Sequence, residues 1–371
     1  MTQTVLTASK DYSELDEYLE TLNCHNLFLV CDSAFKFLKI SSYFDSVTER
    51  LGINIIKFDD FQPNPLYESV VNGVKLFNES KCDAIIAVGG GSTIDVAKCI
   101  KLYSNLNHSA NYLTQTITPN AIPFLAVPTT AGTGSEATKY AVIYYEGAKQ
   151  SVTHDSCIPS TVLFDISALE TLPEYQKKST MLDAFCHAIE SFWSVNSTDE
   201  SKEYSKKAIH LILENYKAYL QNEFDGNKNM LMAANYAGKA INITQTTAGH
   251  AMCYKLTSLY GIAHGHAAAL CVSVLWPFMV KHTDMCIDPR GSKYLENIFA
   301  EIAVVMNARN RLDAAETFIA LFKSLELKRP LINKDDFDVL AKSVNPVRLK
   351  NNPVALDEKT IDELYHQIME I

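Results

Sequence analysis

Short runs of branched and apolar residues alternate with helical spacing through the first part of the chain, and this alternation is its strongest constraint. Asn26–Val30 (NLFLV), Ile53–Phe58 (INIIKF), Ala84–Val88 (AIIAV) and Phe124–Val127 (FLAV) read as strands, while Tyr67–Asn78 and Thr93–Tyr103 carry apolar residues every third or fourth position. Runs with few polar residues at either parity must be covered on both faces. Strands that recur only after a helix reach their neighbours by crossover, so the pattern predicts a parallel sheet between helical layers. From about Pro173 the strand signals stop. Ser179–Trp193, Glu203–Gln221, Asn229–Asn242, Tyr294–Met306 and Arg311–Leu325 then read as helices, and Ala267–Val280, too short to span a bilayer, reads as one more, buried. The expectation is an α/β domain over 1–173 and an all-helical domain over 174–371, the boundary lying near Thr171–Glu174 where Pro173 interrupts the pattern. There is no internal repeat.

Charge and cysteine usage narrow the partners. Thirty-three Lys and Arg against 43 Asp and Glu leave a formal charge of −10, which opposes binding to a phosphate backbone. The nine cysteines are odd in number, scattered and never spaced as CxxC, as expected of reduced thiols in a cytoplasmic protein. The opening segment MTQTVLTASKDYSELDEYLE is polar and acidic where an export signal needs a basic start and an apolar core. A small-molecule partner is expected, with neither nucleic acid nor membrane.

Three groups of residues carry chemistry. After the strand ending at Val88 come Gly89, Gly90, Gly91 and Ser92, then a helix bearing Asp95 and Lys98. Glycines admit an anion to the backbone and the helix start offers free N–H groups, so the segment suits a pyrophosphate; a tight turn needing positive φ is the competing reading. The loop Pro128–Thr138, with Thr129, Thr130, Thr133 and Ser135, follows another strand and can hydrogen-bond a phosphate, ribose or carboxamide. Asp32, just past the first strand, is placed to bind ribose hydroxyls and repel a 2′-phosphate, or else to cap a helix. In the helical half, Asp183 and His187 are spaced i,i+4 and leave one helix face, and His250, His264 and His266 follow. Three imidazoles and a carboxylate make a normal set of ligands for Fe(II), Zn(II) or a similar ion.

In order and over nearly the whole chain, GGGSTIDVAK, PTTAGTGSEAT, the Asp183/His187 pair and the His250/His264 pair resemble the iron-containing (group III) alcohol dehydrogenases. The resemblance implies a Rossmann-like dinucleotide-binding domain and a helical metal-binding domain, together of dehydroquinate synthase-like fold, enclosing a cleft. It also implies an NAD(H)-linked oxidoreductase with one divalent metal ion, and a homodimer. The ligands carried over are Asp183, His187, His250 and His264, leaving His266 beside them or in the cleft. The cofactor-binding set becomes Asp32, Asn64, Gly89, Gly90, Gly91, Ser92, Asp95, Thr129, Thr130, Thr133 and Ser135.

Within that family, FDDFQPNPLYESVVNGVKLF, ESFWSVNSTDES, AGHAMCYKLTSLYGIAHGHAAAL and SVNPVRLKNNPVALDE look most like the phosphonoacetaldehyde reductase branch. Sugar-acid (3-deoxy-octulosonate-type) and general primary alcohol dehydrogenases are the alternatives, and a dehydroquinate synthase-like lyase is more distant. Many members carry a second histidine four residues after the third ligand; here that residue is Tyr254, followed by Lys255. A phenol relays a proton only if a nearby cation or metal lowers its high pKa, so Tyr254 is the expected acid, and Lys255 its helper or an anion-binding group. Lys139, Lys255 and Arg348 are the cations expected to hold an anionic substrate.

Overall fold

A computed structural model describes residues 3–369. The strands are β1 (Thr4–Thr7), β2 (Asn26–Cys31), β3 (Asn54–Phe58), β4 (Ala84–Gly89), β5 (Phe124–Pro128), β6 (Tyr140–Tyr145), β7 (Ala148–Thr153) and β8 (Thr161–Phe164). Four helices accompany them: α1 (Ser13–Leu22), α2 (Ile40–Leu51), α3 (Tyr67–Glu79) and α4 (Gly91–Tyr103). Ten follow: α5 (Glu174–Trp193), α6 (Asp199–Leu220), α7 (Phe224–Thr244), α8 (Ala248–Tyr260), α9 (His264–Lys281), α10 (Ser292–Val305), α11 (Arg311–Ser324), α12 (Asp336–Ser343), α13 (Pro346–Leu349) and α14 (Glu358–Ile368). The chain divides into two compact units. One holds the residues up to Thr130 and Gly134–Leu172, the other Pro173 onward together with Ala131–Thr133. That short excursion departs from the single cut expected of the sequence.

The first unit is built on a six-stranded sheet in the order β1-β8-β5-β4-β2-β3, parallel throughout. Side-chain alternation assigns each face its own core. Phe28, Val30, Ile85 and Ala87 pack with residues of α3 and α4, while Leu27, Leu29, Ile86 and Val88 pack with α1 and α2. All six residues of β4 are buried, as its unbroken apolar run requires. The connection from β2 leads to β3 on one side, and the next strand, β4, lies on the other side of β2. The chain reverses direction across the sheet at this point, and the residues following β2 and β4 flank the crevice so formed.

The helical unit is organised around α5, which packs against α6, α7 and α9. Every residue from Met181 to Trp193 is buried, so this helix has no solvent face over its second half. Helix α9 is longer than its apolar run, starting at His264 and passing through Pro277. Among the described residues no helix is long and apolar enough to cross a membrane. All nine cysteines are free thiols.

Candidate active site

In the helical unit, three helices bring four ligand-type side chains together. Asp183 and His187 project from one face of α5, His250 lies in the first turn of α8, and His264 opens α9. The Nε2 atoms of His250, His187 and His264 lie 3.4, 3.9 and 3.9 Å from a single oxygen, Asp183 Oδ1. Asp183, His187 and His250 are buried and offer donor atoms within 4.8 Å of one another. The close approach depends on Gly265. A Cβ there would sit 2.0 Å from the Ser179 carbonyl oxygen and 2.6 Å from Asp183 Cβ, so only glycine lets the start of α9 lie against α5.

Glu190, absent from the sequence expectations, completes this arrangement. It is fully buried one turn beyond His187 on the same face of α5, and one carboxylate oxygen bonds His250 Nδ1. The other accepts from the Thr247 N–H (3.1 Å), the Thr247 hydroxyl (2.7 Å) and the His250 N–H (3.3 Å). With Nδ1 directed at the Glu190 carboxylate, Nε2, which faces Asp183, is the His250 atom that can hold a metal ion once its proton leaves. The spacing Asp183, His187, Glu190 (i, i+4, i+7) is a one-face pattern that could have revealed it.

Burial alone would keep these groups neutral, and for Asp183 and His250 the neighbouring charges outweigh it. Burial raises the Asp183 carboxyl, but His187, the His250 hydrogen bond and His264 outweigh it and hold the group below the usual carboxylate range. Burial pushes His187 down to about 4. His250 is also penalised by burial, yet the Glu190 and Asp183 carboxylates raise it to about 9.

Aromatic contacts extend outward from the cluster. The His187 and His250 rings stack at 4.4 Å, His264 lies 5.4 Å from His250, and Tyr254 lies 5.4 Å from His264 with planes 25° apart. Cys253 Sγ is 3.5 Å from His264 Nδ1. Burial raises the Tyr254 phenol above its ordinary value, and the nearby Arg348 offsets only part of that rise. The lowered pKa that a proton relay needs is therefore not supplied by the protein's own charges.

In the sheet unit, Asp32 follows β2 and the GGGS segment follows β4, on either side of the crevice. None of Gly89, Gly90 and Gly91 has positive φ, so the tight-turn reading of this segment is set aside. Gly89 is required by crowding instead: a Cβ there would lie 2.3 Å from Thr93 Oγ1. Gly90 is extended and partly exposed, with Thr130 beside it, and Gly91 and Ser92 begin α4 with their N–H groups outside the helical ladder. The Thr129 N–H bonds the Gly89 carbonyl at 3.1 Å, which ties the two loops together. Asp32 Oδ1 accepts from the Ala34 N–H (2.9 Å) and Oδ2 from the Thr93 hydroxyl (3.2 Å), so it anchors its turn and also borders the crevice. Asn64 is exposed in the loop after β3 with φ 58°.

Family models decide what these two sites belong to. Residues 2–166 match the iron-containing alcohol dehydrogenase model, and residues 177–369 match the C-terminal model of the same family. The chain belongs to the iron-containing alcohol dehydrogenase family. It is 28% identical to alcohol dehydrogenase 4 of Saccharomyces cerevisiae, over 94% of each chain. It is 29% identical to the phosphonoacetaldehyde reductase of Streptomyces viridochromogenes, over 80% of this chain and 79% of that one. In fold it is similar to the sulfoacetaldehyde reductase of Bifidobacterium kashiwanohense in complex with NAD+, with a TM-score of 0.87, 22% identity, and 99% and 96% of the two chains covered.

Several residues expected at the sites of this dehydrogenase are engaged elsewhere. His266 hydrogen-bonds the Tyr175 hydroxyl (3.2 Å) and packs on Phe322, away from the cluster that its neighbour two residues earlier joins. Asp95 accepts from the Ser135 hydroxyl (2.6 Å) and the Val142 N–H (2.9 Å), and fully buried Lys98 donates to Ser135 Oγ and to the Thr138 and Tyr140 carbonyls. Asp95 and Ser135 thus fasten the loop onto α4 rather than standing open to a ligand. Thr133 groups with the helical unit, where the adjacent Gly132 packs on Thr180. Lys139 lies 3.7 Å from Asp155. Lys255 is five residues from His250, about 140° around α8 at ~100° per residue, whereas Tyr254 is about 40° away. Lys255 therefore leaves the helix away from the ligand face, because side chains spaced by four, not five, share a face.

Proposed function

We propose that this dehydrogenase reduces phosphonoacetaldehyde to 2-hydroxyethylphosphonate with NADH, using a divalent metal ion held by Asp183, His187, His250 and His264. The observation that carries the reading is the convergence of three imidazole Nε2 atoms on one buried Asp183 oxygen. Three imidazoles and one carboxylate suit Fe(II) or Zn(II), which would displace the proton on His250 Nε2 while the Glu190 contact keeps Nδ1 protonated. When bound, the ion supplies Lewis acidity to a carbonyl oxygen, and the nicotinamide supplies the hydride. The chain contributes binding and orientation. N–H groups from Gly90 to Ser92 offer donors for a pyrophosphate, Thr129 and Thr130 border them, and Asp32 favours a ribose without a 2′-phosphate. Tyr254 Oη, whose pKa is raised by burial, can donate a hydrogen bond to the substrate oxygen.

The 29% identity to a phosphonoacetaldehyde reductase and the motifs shared with that branch support the substrate. A homodimer in the reducing cytoplasm is part of the same proposal, and nine free thiols are consistent with that compartment. The test is NADH oxidation by metal-loaded protein with phosphonoacetaldehyde, acetaldehyde, butyraldehyde and sugar-acid substrates. The reading expects the phosphonate to give the highest kcat/KM; equal rates on acetaldehyde or butyraldehyde would overturn the substrate assignment.

A further inference from the structure

Arg348 stands at the outer end of the aromatic column. Its guanidinium carbon lies 5.2 Å from the centroid of the Tyr254 ring, which stacks on His264, so the charge is within two ring spacings of a ligand-type imidazole. The backbone that carries it is fixed. Asn345 caps α13 through the Val347 N–H (2.9 Å), and Asn351 binds Gln245 Oε1, the Thr246 carbonyl and the Val195 N–H, tying the segment to the ends of α5 and α7.

Apart from its place over the Tyr254 ring, the guanidinium has no partner among the described residues. Among the described residues no carboxylate pairs with Arg348 and no side-chain or carbonyl oxygen accepts from it. Arg290, in the same unit, shows what a structural arginine looks like here: it bonds both oxygens of Asp288, the carbonyls of Ser194, Val195 and Ser197, and the Tyr294 hydroxyl. A half-buried guanidinium held over a ring with its fork of donors unused is poised for a planar or tetrahedral oxyanion.

We infer that Arg348, rather than Lys255, recognises the acidic group of the substrate and makes the site selective for aldehydes bearing a tetrahedral oxyanion. This rests on the anionic-substrate reading above. It narrows the three cations expected from the sequence to one, because Lys255 diverges from the ligand face while Arg348 is delivered to Tyr254 by a different element.

The experiment measures kcat/KM for phosphonoacetaldehyde, sulfoacetaldehyde and butyraldehyde in the wild type and in Arg348→Gln, Arg348→Lys and Lys255→Gln, with competitive inhibition by methylphosphonate as a binding readout. The ratio of anionic to neutral kcat/KM should fall on the order of 10- to 100-fold in Arg348→Gln, carried by KM, with a parallel rise in the methylphosphonate Ki. Arg348→Lys should recover part of it, and Lys255→Gln should hold most of the wild-type ratio. The two oxyanions separate phosphonate from sulfonate preference. A wild type without preference for either oxyanion overturns the substrate reading and this inference with it. A selective wild type whose ratio survives in Arg348→Gln, or collapses in Lys255→Gln instead, overturns the role of Arg348 alone. Should Arg348→Gln fail to fold, Arg348→Met, which keeps an unbranched stem against the Tyr254 ring, decides in its place, because an unchanged Ki and ratio without the charge would overturn the role of Arg348.

Discussion

The two units present their chemistry by opposite means. In the sheet unit the groups offered to a ligand are backbone N–H donors and short hydroxyls at the ends of β4 and β5, and the charged side chains nearby are tied into loop anchoring. In the helical unit the groups are side chains on buried helices, and the backbone only sets their spacing. A dinucleotide is long and recognised by its phosphates, so many modest donors along strand ends suffice. A metal ion is small and needs a few strong donors at fixed separation, which rigid helices supply better than loops.

This contrast predicts unequal sensitivity to substitution. The largest effect is expected from His250→Ala or Asp183→Asn, each removing one of few strong donors. Metal content after desalting should fall to background, with activity loss on the order of 10³-fold or more, and full occupancy in both variants would refute the ligand assignment. Removing the metal with a chelator should increase amide exchange in α5, α8 and α9 and leave the β4–α4 segment unchanged, while added NADH should do the reverse. A uniform response of both units to either ligand would break the comparison. Glu190→Gln keeps shape but removes the charge at His250 Nδ1, and metal affinity should drop roughly 10- to 100-fold. The smallest effect should come from the sheet unit. Asp32→Gly should relax the preference for NADH over NADPH by about tenfold, since one carboxylate among many backbone donors is lost; unchanged discrimination would reduce Asp32 to its Ala34 turn contact.

The sequence was most legible where pattern and burial coincide. β2, β4 and β5 could be read as unbroken apolar runs buried on both faces, and α3 and α4 by apolar residues at three- and four-residue spacing, and the ends shift by only a residue or two. β1 escaped because it is a four-residue edge strand, mostly exposed, whose place is set by pairing with β8 at the far end of the unit. The β6–β7 hairpin carried a usable signal in Glu146 and Gly147, both at positive φ. At the site, spacing along α5 brought Asp183 and His187 to notice, but the engagement of Asp95 with Ser135, or of His266 with Tyr175, depends on contacts between segments far apart in the chain. No local pattern distinguishes a histidine that faces Asp183 from one two residues later that faces Tyr175.

Gly265 has a consequence for how such an enzyme can change over generations. Its missing side chain sets the distance between the helix that begins with His264 and the helix that carries Asp183. A single added methyl group there would push the His264 and Asp183 side chains apart without changing the identity of either residue. Inheritance of the proposed ligand residues is therefore not sufficient for inheritance of the chemistry, and a lineage that lost this glycine could keep all four of them yet lose the enzyme.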